Sequence, residues 1–198
     1  LVDVKFSGIN WLGNEGFFYS SYDKPDGSEL SAKTDQHKLY FHELGTPQSR
    51  DEVIFGATAE QKHRYVGASV GGDDRYLVIS AANSTSGNKL FIKDLASESD
   101  KLIVVFADES ADGSLLESHD DYLLIETNRD APKGRVIALD PQAAGETDWR
   151  DVIPESEHVL NASSSAGYLF AEYMIDAISQ VKQYDLDGNL IRDIELPD

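Results

Sequence analysis

Hydrophobic and polar positions alternate, or run continuously apolar, in short stretches of four to eight residues bounded by Gly, Asp, Asn and Ser, the pattern of β-strands joined by tight turns. About sixteen such stretches are legible, and no apolar period of 3.6 is sustained over the ~10 residues that a helix needs. They group into four units of four predicted strands. The first unit holds 4–10, 16–22, 38–44 and 52–56; the second 65–70, 76–82, 89–95 and 102–106. The third holds 114–118, 122–127, 135–140 and 149–153, and the fourth 159–163, 168–174, 179–185 and 190–196. The third strand of each unit carries a recurring string, starting at Lys38, Lys89, Arg135 and Gln180. A repeat of ~40 to 50 residues is the period of propeller blades, and such a unit buries its faces only by stacking on neighbours. The expected fold is therefore all-β, a β-propeller or another repeat array of about four four-stranded antiparallel units, with blades near 1–58, 59–107, 108–154 and 155–198.

Second strands begin on an aromatic residue, at Phe17, Tyr76, Tyr122 and Tyr168, after turns rich in Gly and Asp. Those residues supply the backbone angles of hairpins. Their near-continuous apolar character predicts strands covered on both faces, whereas 190–196 alternates apolar and charged residues as a solvated edge does. Two connections between second and third strands stand out: 23–36, long for a hairpin, and 83–88. Both are expected on the same face.

Composition narrows the function. The chain has 198 residues, 36 acidic against 17 basic side chains and a formal charge of -19. Nucleic acid and anionic membranes would be repelled, and no apolar run approaches the ~20 residues of a membrane span. Cys is absent, which removes disulfides and thiolate chemistry. Leu1–Phe6 reads as the middle of a strand, so a piece of a longer chain is expected, and the compartment, cytoplasm or periplasm, is left open.

Candidate chemistry is sparse. No Gly-x-Ser-x-Gly spacing stands in the strand-to-helix context that a nucleophile elbow needs. The five His residues, 37, 42, 63, 119 and 158, form no metal-binding pair. His37 and His42, five apart, fall on opposite faces of a strand. His119 with Asp120 and Asp121 reads as a turn. The run Asp185–Asn189 resembles the start of a calcium loop but lacks the closing Glu, and reads as a hairpin. No cofactor or metal is expected.

Several strings are specific in combination: Val4-Lys5-Phe6-Ser7, Trp11 to Tyr19, His37 to Thr46, Asp73 to Ser80, Thr127 to Pro132 and Trp149 to Glu155. In order and spacing they resemble the propeller of prolyl oligopeptidases, serine peptidases that cleave after proline in short peptides, and the likeness spans the whole chain. The resemblance implies part of a seven-bladed propeller that caps an α/β-hydrolase domain, filters substrates by size and lines an apolar pocket for the residue two before the proline. That hydrolase domain, with its Ser, Asp and His, lies outside this sequence, so the chain alone is expected to be inactive. By alignment Phe6 matches the pocket's aromatic residue, Val66 falls where mammalian members have Met, and Thr85 falls near a mammalian Cys. Ala82 stands where mammalian members carry a substrate-contacting Arg. The partners implied are proline-containing oligopeptides, the absent blades and catalytic domain, and a second copy through exposed end blades. A free-standing acidic module binding a protein or peptide is the alternative.

Overall fold

The computed structural model describes residues 1–2, 4–23, 35–71, 73–99, 101–119, 121–143 and 149–196. Among the described residues, sixteen strands form four separate sheets, each built from four consecutive strands in order, and every adjacent pair is antiparallel. The first sheet is β1 (Ile9–Leu12), β2 (Gly16–Tyr22), β3 (His37–Glu43) and β4 (Glu52–Phe55). The second is β5 (Tyr65–Gly71), β6 (Tyr76–Ala82), β7 (Lys89–Asp94) and β8 (Ile103–Phe106). The third comprises β9 (Gly113–His119), β10 (Tyr122–Thr127), β11 (Arg135–Leu139) and β12 (Arg150–Ile153), and the fourth β13 (Leu160–Ser165), β14 (Tyr168–Ile175), β15 (Ile178–Tyr184) and β16 (Leu190–Ile194). This is the expected all-β propeller segment. Among the described residues the one helical turn is a 3-10 turn at Gln48–Arg50, and no helix is long and apolar enough to cross a membrane.

Two compact units divide the chain, Leu1–Glu109 with the first two sheets and Ser110–Asp198 with the last two. In the first unit Phe18, Leu39 and Phe55 pack against Val66, Leu77, Ile79 and Ala81 of the second sheet. In the second unit Leu124, Val136 and Ile153 pack against Leu160, Leu169, Ala171 and Tyr173. Each core thus lies between two sheets, and β6 and β10 are buried along nearly their whole length, as expected of second strands covered on both faces.

Strand β14 corrects that expectation. Its burial alternates along its length and Met174 is exposed, because only one of its faces packs against the core. Ile178, Leu190 and Ile191 on the following strands are exposed too. The first strand is a second correction. It was expected over 4–10 and runs instead from Ile9 to Leu12, where Leu12 faces Gly16 across the hairpin. The chain before it cannot pair, since Phe6 has φ 54 and the Ser7 hydroxyl accepts the Ser20 N–H at 2.7 Å, taking a ladder partner's place. The loop expected at 23–36 falls largely outside the described residues, and with it the shared face proposed for the two loops.

The turn at Asp185 is a hairpin. Its carboxylate accepts from the Asn189 side-chain amide, from the Asn189 N–H and from the Asp187 N–H, which hold Asp185 below the usual carboxylate range. His119 closes β9 opposite Tyr122 and lies 3.6 Å from Asp187.

Glu126 on β10 reaches the neighbouring β13 and accepts the Ala162 N–H at 2.9 Å. Burial pushes its carboxyl above the ordinary range. A raised folded value means that the folded state holds the proton longer, so this group favours folding at low pH. That contribution is lost as pH rises from the unfolded value through the folded one. Glu126→Gln keeps the accepting oxygen without the charge. It is expected to melt at a higher temperature than the parent at neutral pH, with the advantage vanishing in acid, as thermal melts across pH would show.

Candidate functional site

The displaced segment before β1 creates the most unusual surface of the first unit. Phe6, 67% exposed, stands at a left-handed φ that costs a non-glycine residue roughly 1–2 kcal/mol, and such strain persists only where the surroundings impose it. Its ring meets Tyr22 and Tyr65 edge to face, both at 6.4 Å between centroids. Tyr22 ends β2 and Tyr65 opens β5, so the site assembles where the first two sheets meet. The Tyr22 hydroxyl donates to the Arg64 carbonyl at 2.6 Å, and the Arg64 guanidinium sits 5.9 Å from the Tyr65 ring centroid. Burial raises the Tyr22 hydroxyl above its ordinary value, so it remains a donor at neutral pH.

His37 lies beneath, 1% exposed. Register sets it opposite Tyr22, and the two rings stack at 4.3 Å. Val66 donates its N–H to His37 Nδ1 at 2.9 Å, and His37 Nε2 lies 3.1 Å from the Lys5 carbonyl. Burial lowers the imidazole below its usual value, the Lys5 contact offsetting part of that.

The carried-over positions fall around this cluster. Val66 follows Tyr65 and is 3% exposed, its side chain in the core. Ala82 faces Tyr65 directly across the β5–β6 ladder. Thr85 is exposed in the loop that follows β6. That loop is anchored at Asn83, whose N–H and amide donate to the Glu109 carboxylate at 2.9 and 2.7 Å. The sequence marks neither Tyr22 nor Tyr65, and marks His37 only as a histidine without a metal-binding pair; only the β2–β3 register and the sheet-to-sheet contact bring them to Phe6.

What this arrangement offers is adhesion, not bond-making. Exposed aromatic edges bind apolar side chains and flat rings, and one guanidinium adds a cation in a strongly acidic chain. A second network, in which the buried Asp51 carboxylate accepts from Tyr19 at 2.7 Å and contacts His42 Nδ1 at 2.8 Å, resembles a proton relay. It contains no nucleophile, however, and burial with the bond to Asp51 raises the Tyr19 hydroxyl far above its ordinary value. It braces β2 and β3 against the segment before β4. Among the described residues no group of three or more His, Asp or Glu side chains is placed to hold a metal.

Known proteins match this chain from end to end. The family profile of the prolyl oligopeptidase N-terminal β-propeller domain matches residues 1–198. Prolyl endopeptidases of Elizabethkingia miricola and Elizabethkingia meningoseptica are each 51% identical over all of this chain, which covers 28% of their length. Among solved structures, one from a study of inter-domain dynamics in two prolyl endopeptidases superposes with a TM-score of 0.84 at 32% identity, over all of this chain and 28% of its own. Prolyl oligopeptidase B of Galerina marginata, bound to a 35-residue hydrolysis and macrocyclization substrate, gives 0.84 at 25% identity over 97% of this chain and 27% of its own. The chain therefore spans less than a third of the relatives that it matches.

Proposed function

Because this chain belongs to the prolyl oligopeptidase N-terminal β-propeller family, we propose that it is the substrate-gating part of a serine peptidase that cleaves short peptides after proline. The blades are assigned near 1–58, 59–107, 108–154 and 155–198, with the catalytic α/β-hydrolase domain outside residues 1–198. The observation that carries the reading is Phe6: an aromatic ring exposed at a strained backbone position, supported edge-on by two tyrosines, at the position matching the family's pocket aromatic. Phe6 contacts the substrate residue two before the proline. Val66 backs that wall from within, and Thr85 borders it from the loop after β6.

The partners follow from the same reading. Proline-containing oligopeptides meet the Phe6 wall, and further blades and the catalytic domain cover apolar positions such as Trp11, Met174 and Ile178, all exposed here. Large exposed apolar surfaces mark interaction sites. In the isolated segment the same positions would drive self-association, which light scattering would detect.

Residues 1–198 alone should show no turnover of a proline-containing chromogenic peptide. In the intact protein, Phe6→Ala is expected to raise KM about fivefold to tenfold for a peptide bearing an apolar residue two before the proline, the worth of one aromatic contact. kcat should hold, and a peptide lacking that residue should be unaffected, since only uniform binding is removed. Turnover by the segment alone, or equal effects on both peptides, would overturn the assignment.

A further inference from the structure

We propose that His37 is a positioning residue, whose buried imidazole bridges the Lys5 carbonyl and the Val66 amide and thereby holds the Phe6 ring in its exposed, strained position against Tyr22 and Tyr65. The inference rests on the reading of Phe6 as a substrate contact and adds what keeps that contact in place.

Each nitrogen of the ring has one fixed duty. Val66 N–H can only donate, so Nδ1 must present its lone pair. The Lys5 carbonyl can only accept, so Nε2 must carry the hydrogen. The geometry thus selects the neutral Nε2–H tautomer and no other. Three segments converge on this ring: the approach to β1, the start of β3 and the start of β5. Stacking on Tyr22 fixes its plane, and the His37 backbone N–H donates to the His63 carbonyl at 2.8 Å.

Phe6 is consequently tethered on both sides. The carbonyl before it is held by His37 and the hydroxyl after it by the Ser20 N–H. A left-handed phenylalanine with a mostly exposed ring has little packing of its own to impose that conformation, so the two tethers supply it.

Protonation would place a second N–H against the Val66 donor, so the latch is closed with a neutral ring and opens with a cationic one. Burial keeps the ring neutral at ordinary pH. The titratable and charged groups on the segments packed against it are Tyr22 on β2, Lys5 before β1, and Tyr65, Arg64 and His63 before and at the start of β5. Lys62 is paired with Asp35, and Lys38 with Asp23. Because the folded value is depressed, the latch's stability is fully present above the ordinary imidazole range and is lost as pH falls through it toward the folded value.

The test uses the intact protein. Nitrogen-15 histidine NMR should show His37 as the Nε2–H tautomer at neutral pH, protonating below the ordinary imidazole range. An Nδ1–H tautomer, or titration at or above that range, overturns the proposal without any substitution. His37→Asn retains a short acceptor for Val66 but cannot reach Lys5. It should abolish the NMR contacts between the Phe6 ring and both tyrosines and raise KM about fivefold for the longer peptide, the net worth of roughly one hydrogen bond. kcat should be unchanged, and no further rise should appear in a Phe6→Ala background. If Phe6→Ala raises KM and His37→Asn does not, the latch is wrong and the substrate contact stands. If Phe6→Ala leaves KM alone, the substrate contact is wrong, and the ring contacts in His37→Asn still decide the latch: their persistence overturns it, their loss supports it.

Discussion

Replacing Phe55 with Ala is expected to cost about 3–5 kcal/mol, the range for deleting a fully buried aromatic side chain, and so to consume much of the 5–15 kcal/mol that a typical domain has. Phe55 closes β4 with 1% of its surface exposed. Its ring centroid lies 5.3 Å from Phe91 on the second sheet and 6.1 Å from His63. Because it reaches across the two sheets of its unit, no single neighbour can collapse into the space it would leave. The effect should extend to the site. Gly56, the next residue, accepts from Gln36 and donates to Gln61, both at 3.0 Å, and those two segments deliver His37 and His63. Urea unfolding should show the loss as a lowered midpoint with an unchanged slope, accompanied by faster exchange of the Val66 amide. Phe55→Leu, which keeps most of the volume, should lose far less. Equal losses from Leu and Ala would mean that the ring's contacts, and not the space it fills, carry the stability.

How far the fold could be read from the sequence follows from which strands are covered. β6 and β10 were legible because burial on both faces leaves unbroken apolar runs. The hairpin at Ala166-Gly167, with both residues at positive φ, announced itself through its glycine. The equally tight turn at Asp176-Ala177, also at positive φ, carries no glycine and only the weaker signal of Asp176. β1 was placed too early because Val4 and Phe6 alternate like strand residues, while the deciding interaction is between Ser7 and Ser20, thirteen residues away. The bulges tell a similar story. Register shifts between the second and third residues of the recurring string, at Leu39/Tyr40, Leu90/Phe91 and Val136/Ile137, repeat across three blades and have no residue signature. In the fourth blade the shift moves to Gln183/Tyr184.

The candidate site was legible in one residue and opaque in the rest. Phe6 was reached through a family likeness, not through its own chemistry. Tyr22 and His37 become partners only through hairpin register, and Tyr65 only through packing of one sheet on the next. For His37 the spacing shows only that no metal-binding pair of histidines includes it. Its bridging role needed two backbone groups from distant segments, Lys5 and Val66, which no spacing rule can supply.

Gly87→Ala is expected to be the most damaging single-carbon change in the loop that carries Thr85. Gly87 sits at φ +75, and an added Cβ would lie 1.9 Å from the Glu109 carbonyl oxygen and 2.8 Å from its carbon. Both atoms are backbone, so no side-chain rotation can relieve the overlap. The left-handed conformation itself costs roughly 1–2 kcal/mol for alanine. Relief of the overlap requires the loop to move off Glu109, whose carboxylate anchors Asn83 at the other end of the same turn. The sum should be a loss of about 2–4 kcal/mol from positive-φ strain and one or two charge-assisted hydrogen bonds. The two contributions can be separated. Glu109→Gln keeps one acceptor oxygen for Asn83, turns the other into a donor and leaves the Gly87 backbone undisturbed, so it should cost one hydrogen bond and the charge assistance, about 1–2 kcal/mol. Hydrogen exchange at Asn83 should accelerate in Gly87→Ala well beyond the Glu109→Gln rate, because only the former lifts the whole loop. Comparable exchange in the two variants would place the loop's anchorage in the carboxylate alone and remove the glycine from it.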